Sequence, residues 1–317
     1  MTATQKGKEM GTRSIILTVA IAAAMVATPT LAGADTQHRS GGPPAGTNVA
    51  SLLDFGNSVN RPTAVGLADQ GTSLVGFSTN RPSKAQTIGT ISGLTGDTKL
   101  VGIDYRVQNG NLYGVGDAGG IYLLSATKAT AAKVGQLSVA LSGMTFGVDF
   151  NPAANALRVV SDSGQNLRQP FPATGDAPTA PTATDANLTL PPVAPNPAAP
   201  ATGVSAIAYT NNDLDPTTGT TLFDINTAVD QVAIQSPANA GTLVPTGNLG
   251  VDAGVDAGFD IYSGLRRGRT VDVSGFATLT SGGATALYSV DLLNGAVNRI
   301  GRLPLPVTDI AIPLDQR

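Results

Sequence analysis

Chemistry in this chain falls to aspartate. Of its 22 acidic residues 21 are Asp, and the one Glu is Glu9. There is one histidine, His38, and no cysteine. A Ser-His-Asp relay, a thiolate nucleophile, a disulfide and a Cys- or His-built zinc site therefore lack their parts. What remains is a set of carboxylates in a repeated setting. Val101-Gly102-Ile103-Asp104-Tyr105 recurs as Phe146-Gly147-Val148-Asp149-Phe150, and more weakly as Gly258-Phe259-Asp260-Ile261. Asp309 stands in a segment of the same kind, and Ala208 takes the place in the remaining copy. Repeat symmetry predicts Asp104, Asp149, Asp260 and Asp309 at similar heights around one axis. Such a ring can hold a hard cation such as Ca²⁺, which takes six to eight oxygen ligands. The other reading is that each Asp caps a turn beside its own strand. No further cofactor is expected.

A second cluster lies in Ser161-Asp162-Ser163-Gly164-Gln165-Asn166-Leu167-Arg168, with Arg158 just before it. Arg158, Asp162, Gln165, Asn166 and Arg168 make the first place to look for a bound ligand. They are equally able to satisfy neighbouring backbone. Asp69, Asp117 and Asp162 each open a D-x-G triplet between two apolar runs, where Asp accepts local backbone bonds and Gly supplies positive φ. Asp252, Asp256 and Asp260 recur at spacing four without the order of a calcium hand, so a Gly-rich connection is expected there. Arg266, Arg267 and Arg269 form a small basic patch that suits a polyanion or a solvated loop. Net charge is −3 and no phosphate-loop motif occurs, so nucleic-acid and nucleotide partners have no support.

These residues need elements to position them, and the repeats supply the elements. Asp117 follows Asp104 by the same 13 positions that separate Asp162 from Asp149. A further motif, h-G-x-h with h apolar or Thr, closes units at 88–91, 134–137, 246–249 and 300–303. The unit is thus four strands: one with h-G-h-D, one ending at D-x-G, a third like Ile121-Tyr122-Leu123-Leu124-Ser125, and a fourth with h-G-x-h. Taking Ile103, Val148, Ile207, Ile261 and Ile310 as equivalent, the repeat is about 50 residues, the size of a propeller blade. The longest step holds a Pro/Ala-rich surface loop, 170–202. The first unit lacks its h-G-h-D strand, while the chain ends in an isolated strand of that type. The sequence therefore predicts an all-β propeller, five blades of four strands, with the C-terminal strand closing the ring. Only 13% of residues are charged, while Gly and Pro number 38 and 21, a profile of short strands and many turns.

The N-terminus reads differently. Lys6, Lys8 and Arg13 precede an apolar run at 14–26, Pro29 breaks it, and Ala32-Gly33-Ala34 is a small-x-small site. This is the layout of a secretory signal peptide over 1–34. The run is short for a membrane span of about 20 residues, and no span is expected in the mature chain. Residues 35–50 read as a disordered leader, and 51–317 as a single propeller domain. The expected address is periplasmic or extracellular.

Several stretches resemble a bacterial family known only as domain of unknown function 4394: LVGIDYR at 100–106, NLYGVGDAGGIYLL at 111–124, FGVDFNPAANALRVVSDSGQNLR at 146–168, AIAYTNN at 206–212, TLFDIN at 221–226 and AGFDIYSG at 257–264. The resemblance supports the exported, repeat-built reading and brings no activity. Two functions are then expected to compete. One is a non-catalytic binding, structural or envelope propeller, with a glycan or envelope component as partner. The other is a carbohydrate-active hydrolase, which needs two Asp about 5–10 Å apart in a central cleft, one with a raised pKa.

Overall fold

Short apolar runs bounded by Gly, Asp and Asn build most strands of the fold, and a computed structural model describes residues 62–314. The signal peptide and leader of the sequence reading lie outside the described residues. Blade 1 contains β1 (Thr63–Ala68), β2 (Ser73–Ser78) and β3 (Gln86–Thr90). Blade 2 contains β4 (Leu100–Tyr105), β5 (Leu112–Gly116), β6 (Gly120–Leu124) and β7 (Ala131–Gln136). Blade 3 contains β8 (Phe146–Asn151), β9 (Ala156–Ser161), β10 (Asn166–Pro170) and β11 (Ala183–Thr184). A two-stranded ribbon, β12 (Thr189–Leu190) with β13 (Ala199–Pro200), precedes blade 4. Blade 4 is β14 (Val204–Tyr209), β15 (Leu222–Asn226), β16 (Gln231–Gln235) and β17 (Leu243–Asn248). Blade 5 is β18 (Ala257–Arg266), β19 (Arg269–Ser281), β20 (Ala284–Val290) and β21 (Val297–Arg302). The last strand, β22 (Val307–Ala311), returns to blade 1 and pairs antiparallel with β1. Five four-stranded blades stand in a closed ring.

The inner strands β22, β4, β8, β14 and β18 neighbour one another in that order around the axis. Each of the five apolar clusters fills one gap between adjacent blades. Alternate residues of a strand therefore serve opposite neighbours: Leu112 faces blade 1 and Tyr113 faces blade 3. This is why strands such as β2 and β5 are buried at every position rather than at every second one.

Glycine sets how closely the inner strands approach. A Cβ on Gly147 would lie 2.7 Å from the backbone nitrogen of Ile207, and one on Gly258 would lie 2.5 Å from the Cα of Asp309. Backbone cannot step aside as a side-chain tip can. Gly147→Ala is expected to destabilise the ring by about 1–3 kcal/mol, the usual cost of overpacking. A urea midpoint that does not move would remove the role assigned to this contact.

The D-x-G triplets form tight turns at the end of the ring where the inner strands begin. Gly71, Gly119 and Gly164 have φ of +93°, +84° and +88°. Asp117 Oδ1 accepts the Thr98 N–H at 2.8 Å, and Asp162 Oδ1 accepts the Met144 N–H at 2.8 Å. Each thereby ties a turn to the segment leading into its own blade. Blade 3 has no h-G-x-h motif, and the Pro/Ala-rich stretch supplies its outermost strand, β11. That stretch is pinned from blade 2. Buried Arg106 donates to the carbonyls of Gly175 and Pro172, both at 2.6 Å, and stacks on Phe171. Asn109, Asn111 and Tyr113 all donate to Asp176 Oδ1.

Candidate functional site

An inner strand has no ladder partner on its axial side, so its inward N–H groups need another acceptor. Aspartate supplies it. Asp104 Oδ2 accepts the Phe150 N–H at 2.7 Å, and Asp149 Oδ1 accepts the Tyr209 N–H at 3.2 Å. Asp260 Oδ2 accepts the Ile312 N–H at 2.5 Å, and Asp309 Oδ2 accepts the Ile103 N–H at 2.8 Å. Every one of these bonds joins an inner strand to the next inner strand around the ring. The carboxylates are thus staples between neighbouring inner strands, rather than caps confined to their own turns.

Strand register corrects the expected heights. Asp104 pairs with Tyr113, Asp149 with Arg158 and Asp260 with Phe276. Ala208, opposite Phe223, and Ala311, opposite Val65, hold the same rung in blades 4 and 1. Phe259, rather than Ile261, is therefore level with Ile103. Asp309 stands one pleat nearer the strand starts, level with Gly102, because β22 pairs Ile310 with Gly66 as β4 pairs Ile103 with Gly114. Three carboxylates share a rung and the fourth lies beside it.

Asp104, Asp149 and Asp260 each offer an oxygen within 4.8 Å of the other two. This oxygen-only set has the hardness for Ca²⁺, though it supplies only part of the six to eight ligands that ion takes. Burial raises the pKa of all four axial groups. Neighbouring charges add to it: chiefly Asp260 at Asp104, and Asp104 at Asp149. Asp260 is pushed up to about 7, and Asp309 is raised well above the carboxylate range. Three unshielded negative charges at this separation are not tolerated in a dry site, so protons or a cation must neutralise them.

The sequence-derived search region lies elsewhere, between blades 3 and 4. Arg158 is 1% exposed and donates to Tyr209 Oη at 2.8 Å, to Asn166, to Asp185 at 3.1 Å and to Asn239 at 2.6 Å. Arg168 grips both oxygens of Asp185. Asn166 donates to the carbonyls of Ala186 and Ala238. Gln165 accepts from Ser142 N–H and donates to the Ala140 carbonyl. Arg158, Arg168 and Asn166 are thus occupied in holding the 183–188 segment and blade 4 against blade 3, and Gln165 in holding the segment that leads into blade 3. The basic patch tops the overlong β18–β19 hairpin, where Arg269 pairs with Asp215 at 2.9 Å.

Sequence reading gave no weight to Asp224. It is fully buried, both oxygens lack a hydrogen-bond partner, and burial pushes its pKa far up. A buried carboxyl without a partner costs about 1–3 kcal/mol or more. Asp224→Leu, similar in size, is expected to raise stability by roughly that amount at neutral pH. A lower urea midpoint would show that Asp224 serves the fold in some other way.

The strand starts also frame a cavity of about 200 Å³. Gln70 and Thr308 reach it from blade 1, Lys99 from blade 2, Thr145 from blade 3, Ser205 from blade 4 and Asp256 from blade 5. All five blades line it. These residues carry no shared motif. The signal that finds them is position: Gln70 lies in the first D-x-G turn, and the others stand at or just before the start of an inner strand.

The chain belongs to the family described as Domain of unknown function (DUF4394), whose model matches residues 73–311. No curated protein matches. Among solved structures, a chain of a nidogen/laminin complex is similar at 9% identity and TM-score 0.45, covering 81% of this chain and all of that one. A Bacteroides thetaiotaomicron protein of unknown function is similar at 12% identity and TM-score 0.40, covering 81% of this chain and 70% of that one. A Lactobacillus plantarum protein is similar at 16% identity and TM-score 0.34, with coverages of 78% and 68%. Among the described residues no helix is long and apolar enough to cross a membrane.

Proposed function

We propose that this protein is an exported, non-catalytic β-propeller that binds a ligand at the mouth of its central axis. The observation that carries the reading is the division of labour along that axis. The mouth is a polar cavity lined from every blade. Below it the carboxylates are spent on strand-to-strand bonds and are 5%, 3%, 2% and 3% exposed at Asp104, Asp149, Asp260 and Asp309. A glycosidase pair has to meet a sugar and a water, and these groups meet backbone N–H. Calcium belongs to the proposal as the cation the level triad would take. Cleavage after Ala34 would deliver the chain to the periplasm or the medium, where a glycan or other envelope component is the expected kind of partner.

The test is recovery of the protein from its exporting host, followed by N-terminal sequencing and native mass spectrometry. The expected result is a start at Asp35 and a bound small molecule that a folded Thr145→Trp variant, with its mouth filled, does not carry. A glycan-hydrolysing activity that disappears in a folded Asp104→Asn/Asp149→Asn variant would overturn the non-catalytic reading.

A further inference from the structure

The mouth cavity holds two charges of opposite sign that the fold does not use. Lys99 and Asp256 both line it, on blades 2 and 5, the two blades flanking blade 1. The ion pairs of the described residues join Lys133 to Asp97, Arg158 and Arg168 to Asp185, and Arg269 to Asp215. Neither Lys99, half-buried, nor Asp256, exposed, is in any of them, so both charges at the cavity are open to a ligand. The same lining includes Gln70, Thr145, Ser205 and Thr308, neutral groups that can both donate and accept, and the apolar Val101, Met144 and Phe146.

From this juxtaposition we infer that the mouth binds a small zwitterion of the amino-acid class, its carboxylate toward Lys99 and its ammonium toward Asp256; the inference rests on the mouth being the binding site. A simple anion would pair Lys99 and leave Asp256 repelling it, and a simple cation would do the reverse. A molecule with both charges satisfies both walls at once, and charge-assisted bonds are the strong ones. Size points the same way. A cavity of about 200 Å³ lies below the roughly 300–1,000 Å³ of sites for larger ligands. It exceeds by far the roughly 10–15 Å³ that a single water requires.

One wall is held under strain. Asp69 and Gln70 are consecutive non-glycine residues in the left-handed region, at φ 50° and 55°. The adjoining Gly71 packs so closely on blade 2 that a Cβ there would lie 2.0 Å from the Leu100 carbonyl oxygen. Strain of this kind persists only where its surroundings over-determine it, and it gathers at ligand sites. Here it fixes Gln70 at the cavity rim.

The experiment is isothermal titration of the mature protein with glycine, alanine, serine, β-alanine and γ-aminobutyrate. Propionate and propylammonium serve as single-charge controls, and glucose and Ca²⁺ as probes of other classes. The expected result is saturable binding of at least one zwitterion, with both single-charge controls weaker by about tenfold or more. Lys99→Met and Asp256→Asn should each weaken it by a similar factor while the circular dichroism and melting temperature stay unchanged. Equal binding of a single-charge control, or indifference to both substitutions, would overturn the inference. If glucose or Ca²⁺ binds instead and Thr145→Trp abolishes it, the mouth remains the site and the zwitterion falls. If no probe binds, both readings fall.

Discussion

Deleting residues 305–317 is expected to unfold the whole ring, the largest single effect foreseen for this protein. The deletion removes β22, the inner strand of blade 1, whose ladder runs Val65 to Ala311, Gly66 to Ile310 and Leu67 to Asp309. Val307, Ile310 and Ile312 are 2%, 1% and 3% exposed and belong to the cluster between blades 5 and 1. Full burial of each such side chain contributes about 1.5–3 kcal/mol, and three approach the 5–15 kcal/mol that holds a typical domain together. Two staples go as well: Asp309 leaves the Ile103 N–H without its acceptor, and Asp260 loses the donor at Ile312. The β1 edge would then face the axis unpaired, an aggregation hazard. Ile310→Ala offers a milder probe at about 2–5 kcal/mol. A truncated protein that melts at the wild-type temperature would end the ring-closure account.

Much of this architecture was legible because the repeat writes one strand type at one place. The h-G-h-D, D-x-G and h-G-x-h motifs gave strand number, order and the displaced first strand. Each answers a local physical demand: close approach of inner strands, a positive-φ turn, the outer edge of a blade. What stayed hidden depends on register and on contacts far apart in sequence. Asp309 precedes Ile310 where Asp104 follows Ile103, an offset that becomes a different rung only once β22 pairs with β1. Blade 3 takes its fourth strand from a Pro/Ala-rich stretch with no strand signature, held there by Arg106 from blade 2. Asp224 sits in an apolar strand, Leu222–Asn226, where its orphaned carboxyl shows only once blade 3 packs over it. The mouth is lined by short pieces of all five blades that share no motif. Closure of the ring brings Lys99 and Asp256 to one cavity.

Stability should fall, not rise, as an ion-free sample is taken from pH 5 to pH 8. The sign follows from the axial carboxylates. Asp104, Asp149, Asp260 and Asp309 have folded pKa values above those of the unfolded chain. Above about pH 4 the unfolded chain has released protons that the native axis still holds, so each rise in pH favours unfolding until the folded pKa is passed. For Asp260 that window closes at about 7, so its effect falls within the comparison. The other three are raised in the same direction and add to the trend. Buried Tyr105, raised by the same desolvation and by Asp104 and Asp260, stays neutral throughout and does not oppose it. Asp117 and Asp215 have lowered values and contribute stability that is lost below about pH 4, outside the comparison. Asp104→Asn/Asp149→Asn should therefore flatten the slope. Calcium separates the two ways of neutralising the triad. An ion held by ionised carboxylates raises the melting temperature more at pH 8 than at pH 5, by mass action on the native state, and the double variant loses that response. A wild type indifferent to calcium would leave shared protons as the neutralising charge. Ion-free wild type that gains stability from pH 5 to pH 8 would mean that the axis is not proton-loaded at all.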